Sequence, residues 1–265
     1  MTEPQPRADL AELRERRILV TNDDGFGAPG IRILERIARR LSGDVWVVAP
    51  EVEQSGMGHA LTVRRPLRPK RASPDDPTRW IVDGTPTDCM IVAIRRLMAD
   101  EPPDLVLSGV NRGHNLGEDV TYSGTVAAAM EATLLGVPAI AFSQAYDGPI
   151  DWTPTETHLE DVVLRLCRAP WPADVLMNVN FPAGGSDAVK GLVATRQGRR
   201  VGHVEVRDFE DPKGRDFVWI GDFEDHGAVD AGSDLEAIAD GMISVTPIHL
   251  DLTHAETLRA LRAGI

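Results

Sequence analysis

The sequence predicts an α/β protein built on a mostly parallel sheet between two layers of helices, and three observations carry that reading. Short apolar, largely β-branched runs at 18–20, 45–49 and 105–107 have the length and composition of buried strands. Between the first two, Ile33, Leu34, Ile37, Ala38 and Leu41 recur at helical spacing, so 30–41 is an amphipathic helix and the unit reads strand, helix, strand. Each run then stops at a turn rich in Gly and polar side chains, which in an open α/β sheet is where ligands bind. Together these define a Rossmann-like, three-layer fold. No GxGxxG opens the first helix, so the dinucleotide fingerprint is absent.

Composition bounds the rest. A chain of 265 residues, 42% hydrophobic and 26% charged, suits one large domain, with 1–16 read as a flexible polar arm and 17–265 as the domain. No apolar run reaches the ~18 residues of a membrane span and no secretory segment is visible, so the expectation is a soluble, cytoplasmic protein with no membrane partner. Two cysteines, Cys89 and Cys167, read as reduced core thiols. A formal net charge of −13 argues against a nucleic-acid binder, which needs a cationic face. A small phosphate ester remains open to it if a metal supplies positive charge.

Taken in order, the first strand ends in Asp23 and Asp24, with Gly25, Gly27, Pro29 and Gly30 bending the chain sharply after them. Neighbouring anions repel, and a proton or a bound cation relieves them. The second strand ends in APEVEQSG, which places Ser55 on the same rim. The segment 61–71 is basic and Pro-broken, and 80–82 is a brief strand. Thr85 before Pro86 reads as a cap opening a helix through Met90, Ile94 and Leu97, with Asp88 in its first turn.

The densest chemistry lies in 103–143. The strand 105–107 delivers Asn111 to the rim, and a Gly-rich polar loop carrying His114 and Asn115 follows. Val126, Ala129, Met130, Thr133 and Leu134 then mark a helix that begins at Ser123-Gly124-Thr125. Alone, Ser123 is an ordinary N-cap. Free N–H groups at such a start, beside two hydroxyls and a glycine, also make an anion site. Beyond 143 come a helix at 157–168, a strand at 175–180, a charged hairpin-like segment at 201–220 ending beside Trp219, a strand at 243–245 and a terminal helix after Thr253. The hairpin within about 196–222 and an arm over about 232–265 are the expected appendages.

Two carboxylates, a hydroxyl, a carboxamide and an anion-ready helix start thus converge on one sheet edge. An all-oxygen set suits Mg²⁺ or Mn²⁺, whereas zinc recruits His or Cys. The segments TNDDGFGAPGI, APEVEQSG, DGTPTDC, SGVNRGHNLGEDVTYSGTVAAAMEA, NVNFP, TRQGRR, DPKGR with WIG, and SVTPIHLDLT run in order over nearly the whole chain and resemble the survival protein SurE family of metal-dependent nucleotidases. The resemblance implies hydrolysis of nucleoside 5'- and 3'-monophosphates. It implies that Asp23, Asp24, Ser55 and Asn111 hold one divalent metal per subunit, and that Asn115, Ser123, Gly124 and Thr125 surround the substrate phosphate. It also implies a homodimer or homotetramer built through C-terminal elements. The family's Asp-Thr-Asp and Gly-Tyr are here Gly232-Ser233-Asp234 and Gly241-Met242, a departure that touches the arm and leaves the site intact.

The implied chemistry is in-line attack of water on a phosphomonoester, with Asp23 or Asp24 as base and His59 and His114 as loop candidates for an acid. Three other readings compete. A haloacid-dehalogenase-like phosphatase would need its two aspartates two positions apart, and here they are adjacent. A non-catalytic phosphate or nucleotide sensor could use the same cradle, and a broad acid phosphatase or exopolyphosphatase the same chemistry.

Overall fold

The computed structural model describes residues 10, 12–169, 172–199, 204–223 and 230–264. Residues 1–9 and 11 of the expected arm, and 200–203 of the expected hairpin, lie outside them. The central sheet has nine strands in the order β3-β4-β2-β1-β5-β6-β7-β11-β8. Strands β4 (Asp76–Val82), β2 (Asp44–Pro50), β1 (Arg17–Thr21), β5 (Leu105–Arg112), β6 (Ala139–Gln144) and β7 (Val175–Phe181) are mutually parallel. β3 (Lys70–Ser73) is antiparallel to β4, and β11 (Met242–His249) is antiparallel to β7 and parallel to β8 (Gly191–Ala194).

The parallel strands are apolar on both faces because helices cover both, the pattern that reads as an unbroken Val/Ile/Leu run. Ile18 and Val20 of β1 pack with Ile33, Leu34 and Ile37 of α1 (Pro29–Leu41) and with Leu159 and Val163 of α4 (Thr153–Arg168). Leu19, between them, faces the opposite core with Met90 of α2 (Pro86–Val92) and Val126 and Ala129 of α3 (Gly124–Leu134). The first core also takes Leu10 and Leu13, both almost fully buried, so side chains from the end of the expected arm dock on the domain.

Strand order reverses at β1: the chain runs from β1 to β2 on one side, then returns to place β5 on the other. The crevice at the carboxyl ends of β1 and β5 is therefore the topological switch point. α1 can start there because Gly30 has no side chain. An ideal Cβ would fall 1.9 Å from the Val110 carbonyl oxygen of β5, so only glycine lets helix and strand approach this closely.

The helix after Thr85 is α-helical over Pro86–Val92 and widens to a π turn over Ala93–Leu97, rather than running uniformly to Leu97. Its cap is as expected: Thr85 Oγ1 accepts the Asp88 N–H, and the Asp88 carboxylate accepts that of Thr85. Strands β9 (Val204–Glu210) and β10 (Asp216–Phe223) form a separate antiparallel hairpin, and α5 (Asp234–Ala239) and α6 (Ala255–Gly264) flank β11 in sequence. No helix among the described residues is long and apolar enough to cross a membrane.

Candidate active site

β1 ends at Thr21, and the next residues turn on side-chain and backbone bonds: Asn22 Nδ2 donates to the Gly25 carbonyl at 2.9 Å, and Ala28 N–H to the same oxygen at 3.1 Å. Gly25 takes φ +95°, and an ideal Cβ would lie 3.2 Å from the Val52 carbonyl carbon, so the turn and the loop after β2 are pressed together. Gln54 N–H donates to the Asp23 carbonyl at 2.8 Å and Gly58 N–H to the Tyr122 carbonyl at 2.9 Å. The loop carrying Ser55 is thus tied both to the Asp23 turn and to the segment that leads into α3.

Asp23 is the hub. Its Oδ1 accepts a hydrogen bond from Thr125 Oγ1, and Thr125 Oγ1 lies 3.5 Å from Asn111 Oδ1. Ser108 Oγ donates to the Thr125 carbonyl at 2.7 Å, locking the start of α3 onto β5. Gly124 leaves room for Asp23: an ideal Cβ there would fall 2.7 Å from Asp23 Cβ and 2.9 Å from Asp23 Oδ2. Asp24 is half-buried beside it, and its Oδ2 accepts the Arg112 N–H at 3.3 Å. Four sequence-predicted residues, Asp23, Asn111, Gly124 and Thr125, therefore meet directly, with Asp24 joined to them through β5.

The others bond to different partners. Ser55 is exposed and its Oγ donates to Glu53 Oε1 at 2.8 Å. Ser123 Oγ accepts the Val126 N–H at 3.1 Å, a normal N-cap. Asn115 is buried, with its N–H on Asn180 Oδ1 at 2.7 Å, its Nδ2 on Ser143 Oγ at 2.8 Å, and its carbonyl accepting from Asn178 and Asn180. It is held by the ends of β6 and β7. His59 sits 2.9 Å from Glu131 Oε2 and His114 3.2 Å from Asp119 Oδ2, each engaged by a carboxylate.

Burial sets the electrostatics. It pushes the Asp23 carboxyl up from the ordinary range, against the opposing Thr125 bond. It pushes Asp24 up to about 7, with the charge of Asp23 adding to the rise. Glu53, which sequence reasoning passed over, raises both; its only signal was an acid two residues before Ser55. Two buried neighbouring anions are costly unless protonated or paired with a cation. Beside them Asn22 Oδ1 is buried with no hydrogen-bond partner. Among the described residues no group of three His, Cys, Asp or Glu is placed for a metal, so a cation here must draw on hydroxyl and carboxamide oxygens as well as on the two carboxylates. Such a hard, all-oxygen set could hold Mg²⁺ or Mn²⁺. Cys89 and Cys167 play no part: burial raises both thiols, Cys167 to about 12.

Fold and site together define an α/β protein with an acidic, oxygen-rich centre at the switch point of its sheet and a helix N-terminus facing it. The chain belongs to the survival protein SurE family, whose model matches residues 18–203. It is 52% identical over 266 residues to the 5'-nucleotidase SurE of Paramagnetospirillum magneticum, covering all of both chains. To the 5'-nucleotidase SurE of Rhodospirillum rubrum it is 53% identical over 257 residues, covering 95% of this chain and 97% of the relative. The crystal structure of the SurE protein from Aquifex aeolicus superposes with a TM-score of 0.81 at 40% identity, covering 93% of this chain and 98% of that one.

Proposed function

We propose that this protein is a divalent-metal-dependent 5'-nucleotidase that hydrolyses nucleoside 5'- and 3'-monophosphates to nucleoside and phosphate. The observation that carries the reading is the Asp23–Thr125–Asn111 contact, which joins the acidic turn, the helix start and the third strand end in one cluster. Asp23, Asp24, Ser55 and Asn111 would hold one Mg²⁺ or Mn²⁺ per subunit. Bound there, such an ion polarises a phosphoryl oxygen and lowers the pKa of bound water.

The chain's own residues supply the rest. Gly124 and Thr125 present N–H groups, and Ser123 a hydroxyl, at the positive end of α3, where charge on the phosphoryl oxygens would be stabilised. Gly124 lets this helix start lie directly against Asp23. Asn115, clamped between β6 and β7, holds the polar loop that closes the phosphate site. Asp24, more open than Asp23, is the group suited to accept the proton of attacking water.

The hairpin β9–β10 supports a homodimer or homotetramer. Val206, Val218, Trp219 and Ile220 are 58%, 60%, 66% and 69% exposed. A lone two-stranded ribbon is marginal in water, so a second copy covering this apolar surface would stabilise it. The cytoplasm is the compartment that the two reduced thiols suit.

Colorimetric phosphate release from a panel of 5'- and 3'-monophosphates tests the activity. Turnover with Mg²⁺ or Mn²⁺ and its loss on chelation are expected, while tight nucleotide binding without phosphate release would mark a sensor instead.

A further inference from the structure

Resting on the nucleotidase reading, the geometry points to a nucleobase seat made by Arg112 and Tyr146, one residue beyond the acidic cluster. Arg112 ends β5 directly after Asn111, and its N–H donates to Asp24 Oδ2 at 3.3 Å. Its guanidinium lies over the Tyr146 ring, 5.5 Å from the centroid, and it makes no ion pair among the described residues. In a chain whose formal net charge is −13, this guanidinium is spent on an aromatic face rather than on a salt bridge among the described residues.

Tyr146 follows the end of β6 on the same rim and is 45% exposed. Gly113 links the two sites. An ideal Cβ there would lie 3.8 Å from Asn111 Nδ2 and 3.8 Å from Tyr146 Cε1, so the carboxamide and the ring edge flank one point in space. A nucleoside monophosphate whose phosphate sits at Gly124 and Thr125 needs a planar surface about one ribose away. The Arg112–Tyr146 pair is a planar surface one residue from Asn111, whose Oδ1 lies 3.5 Å from Thr125 Oγ1. Guanidinium and aromatic faces both stack on bases, and stacking is tolerant of base identity because every base has a π-face. The seat therefore takes a purine or pyrimidine base without reading its hydrogen-bonding edge.

An alternative seat exists on the opposite flank, a groove lined by Gln54, Met57, Thr62, Arg65, Asp83 and Thr85. The test compares kcat/KM for 5'-AMP with that for ribose 5-phosphate, which lacks a base. Tyr146→Ala should lower the ratio about tenfold, as expected for one lost stack. Arg112→Gln should lower it by less, and Tyr146→Phe should keep it. Saturation-transfer NMR with adenosine, which is not hydrolysed, should show base protons in contact with the wild-type protein and lose them in Tyr146→Ala.

An unchanged ratio in Tyr146→Ala, or equal loss on both substrates, overturns the seat, as does a ratio that moves with Met57→Ala instead. If the wild-type enzyme releases phosphate normally while the ratio holds in Tyr146→Ala, only the seat fails. If it releases none from any nucleotide, the nucleotidase reading fails first.

Discussion

Gly124→Ala probes the site through one methyl group. The new Cβ would stand 2.7 Å from Asp23 Cβ, 2.9 Å from Asp23 Oδ2 and 3.1 Å from Pro86 Cγ. Carbon atoms prefer about 3.5–4.0 Å, so Asp23 or the start of α3 must shift by nearly 1 Å. Asp23 is held by Thr125 on one side and by its own turn on the other, so the shift strains both. Overpacking of this kind costs about 1–3 kcal/mol of stability. A displacement near 1 Å in a reacting site costs on the order of 10²-fold in rate. Calorimetric titration with Mn²⁺ and phosphate release from 5'-AMP measure the two consequences separately. Weaker metal binding and a turnover loss near a hundredfold are expected. Gly27→Ala is the control: it lies in the same turn, yet an ideal Cβ meets nothing within 4 Å. Wild-type metal affinity and turnover in Gly124→Ala, or an equal loss in Gly27→Ala, would refute the reasoning.

Other consequences concern charge, pH and assembly. Asp23→Asn and Asp24→Asn should each abolish metal binding or turnover while circular dichroism stays unchanged. The folded-state carboxyl of Asp24 is raised to about 7, above an unfolded value near ~3.9. The metal-free fold therefore loses stability as pH climbs between those values, since ionising the buried acid is what burial opposes. Melting temperatures of chelated protein should fall from pH 5 to pH 8, and Asp24→Asn should flatten the decline. Metal affinity should run the other way, weakening below about pH 7 as protons compete for the same oxygens, with proton release visible in buffer-dependent calorimetry. Leu13→Ala should cost about 2–5 kcal/mol in denaturant unfolding, because Leu13 is only 3% exposed. Ile220→Asp should dissociate the proposed oligomer in light scattering with little change in the fold of the main domain.

Much of this molecule is legible in its sequence because the parallel strands are buried on both faces. Continuous apolar runs such as Ile18-Leu19-Val20 and Leu105-Val106-Leu107 have no other comfortable state. Glycines and polar groups at their ends then mark the rim, which is why Asp23, Asn111, Gly124 and Thr125 read as neighbours from the sequence. The edge strands were not legible. β3 is Lys-Arg-Ala-Ser and largely exposed, and β8 is four residues long, so neither leaves a hydrophobic signature. α5 is short and opens on Ser233, whose cap on Glu236 resembles any loop serine. The polar composition of 1–16 likewise hides Leu10 and Leu13, two apolar residues that dock on the first core. Within the site, residue type announced the candidate oxygens but not their surroundings. That Asn115 is clamped by Asn178, Asn180 and Ser143 depends on the register of β6 against β7, which one sequence does not reveal. The nearness of Glu53 and Arg112 to the acidic pair depends in the same way on how the loops after β2 and β5 fold back.

Diffraction from crystals soaked in Mn²⁺, with data collected at the manganese edge, tests the central claim most directly. One anomalous peak per subunit within coordination distance of oxygens from Asp23, Asp24, Ser55 and Asn111 is the predicted result. A peak bound elsewhere, or none at a manganese concentration that supports full phosphate release, would contradict it.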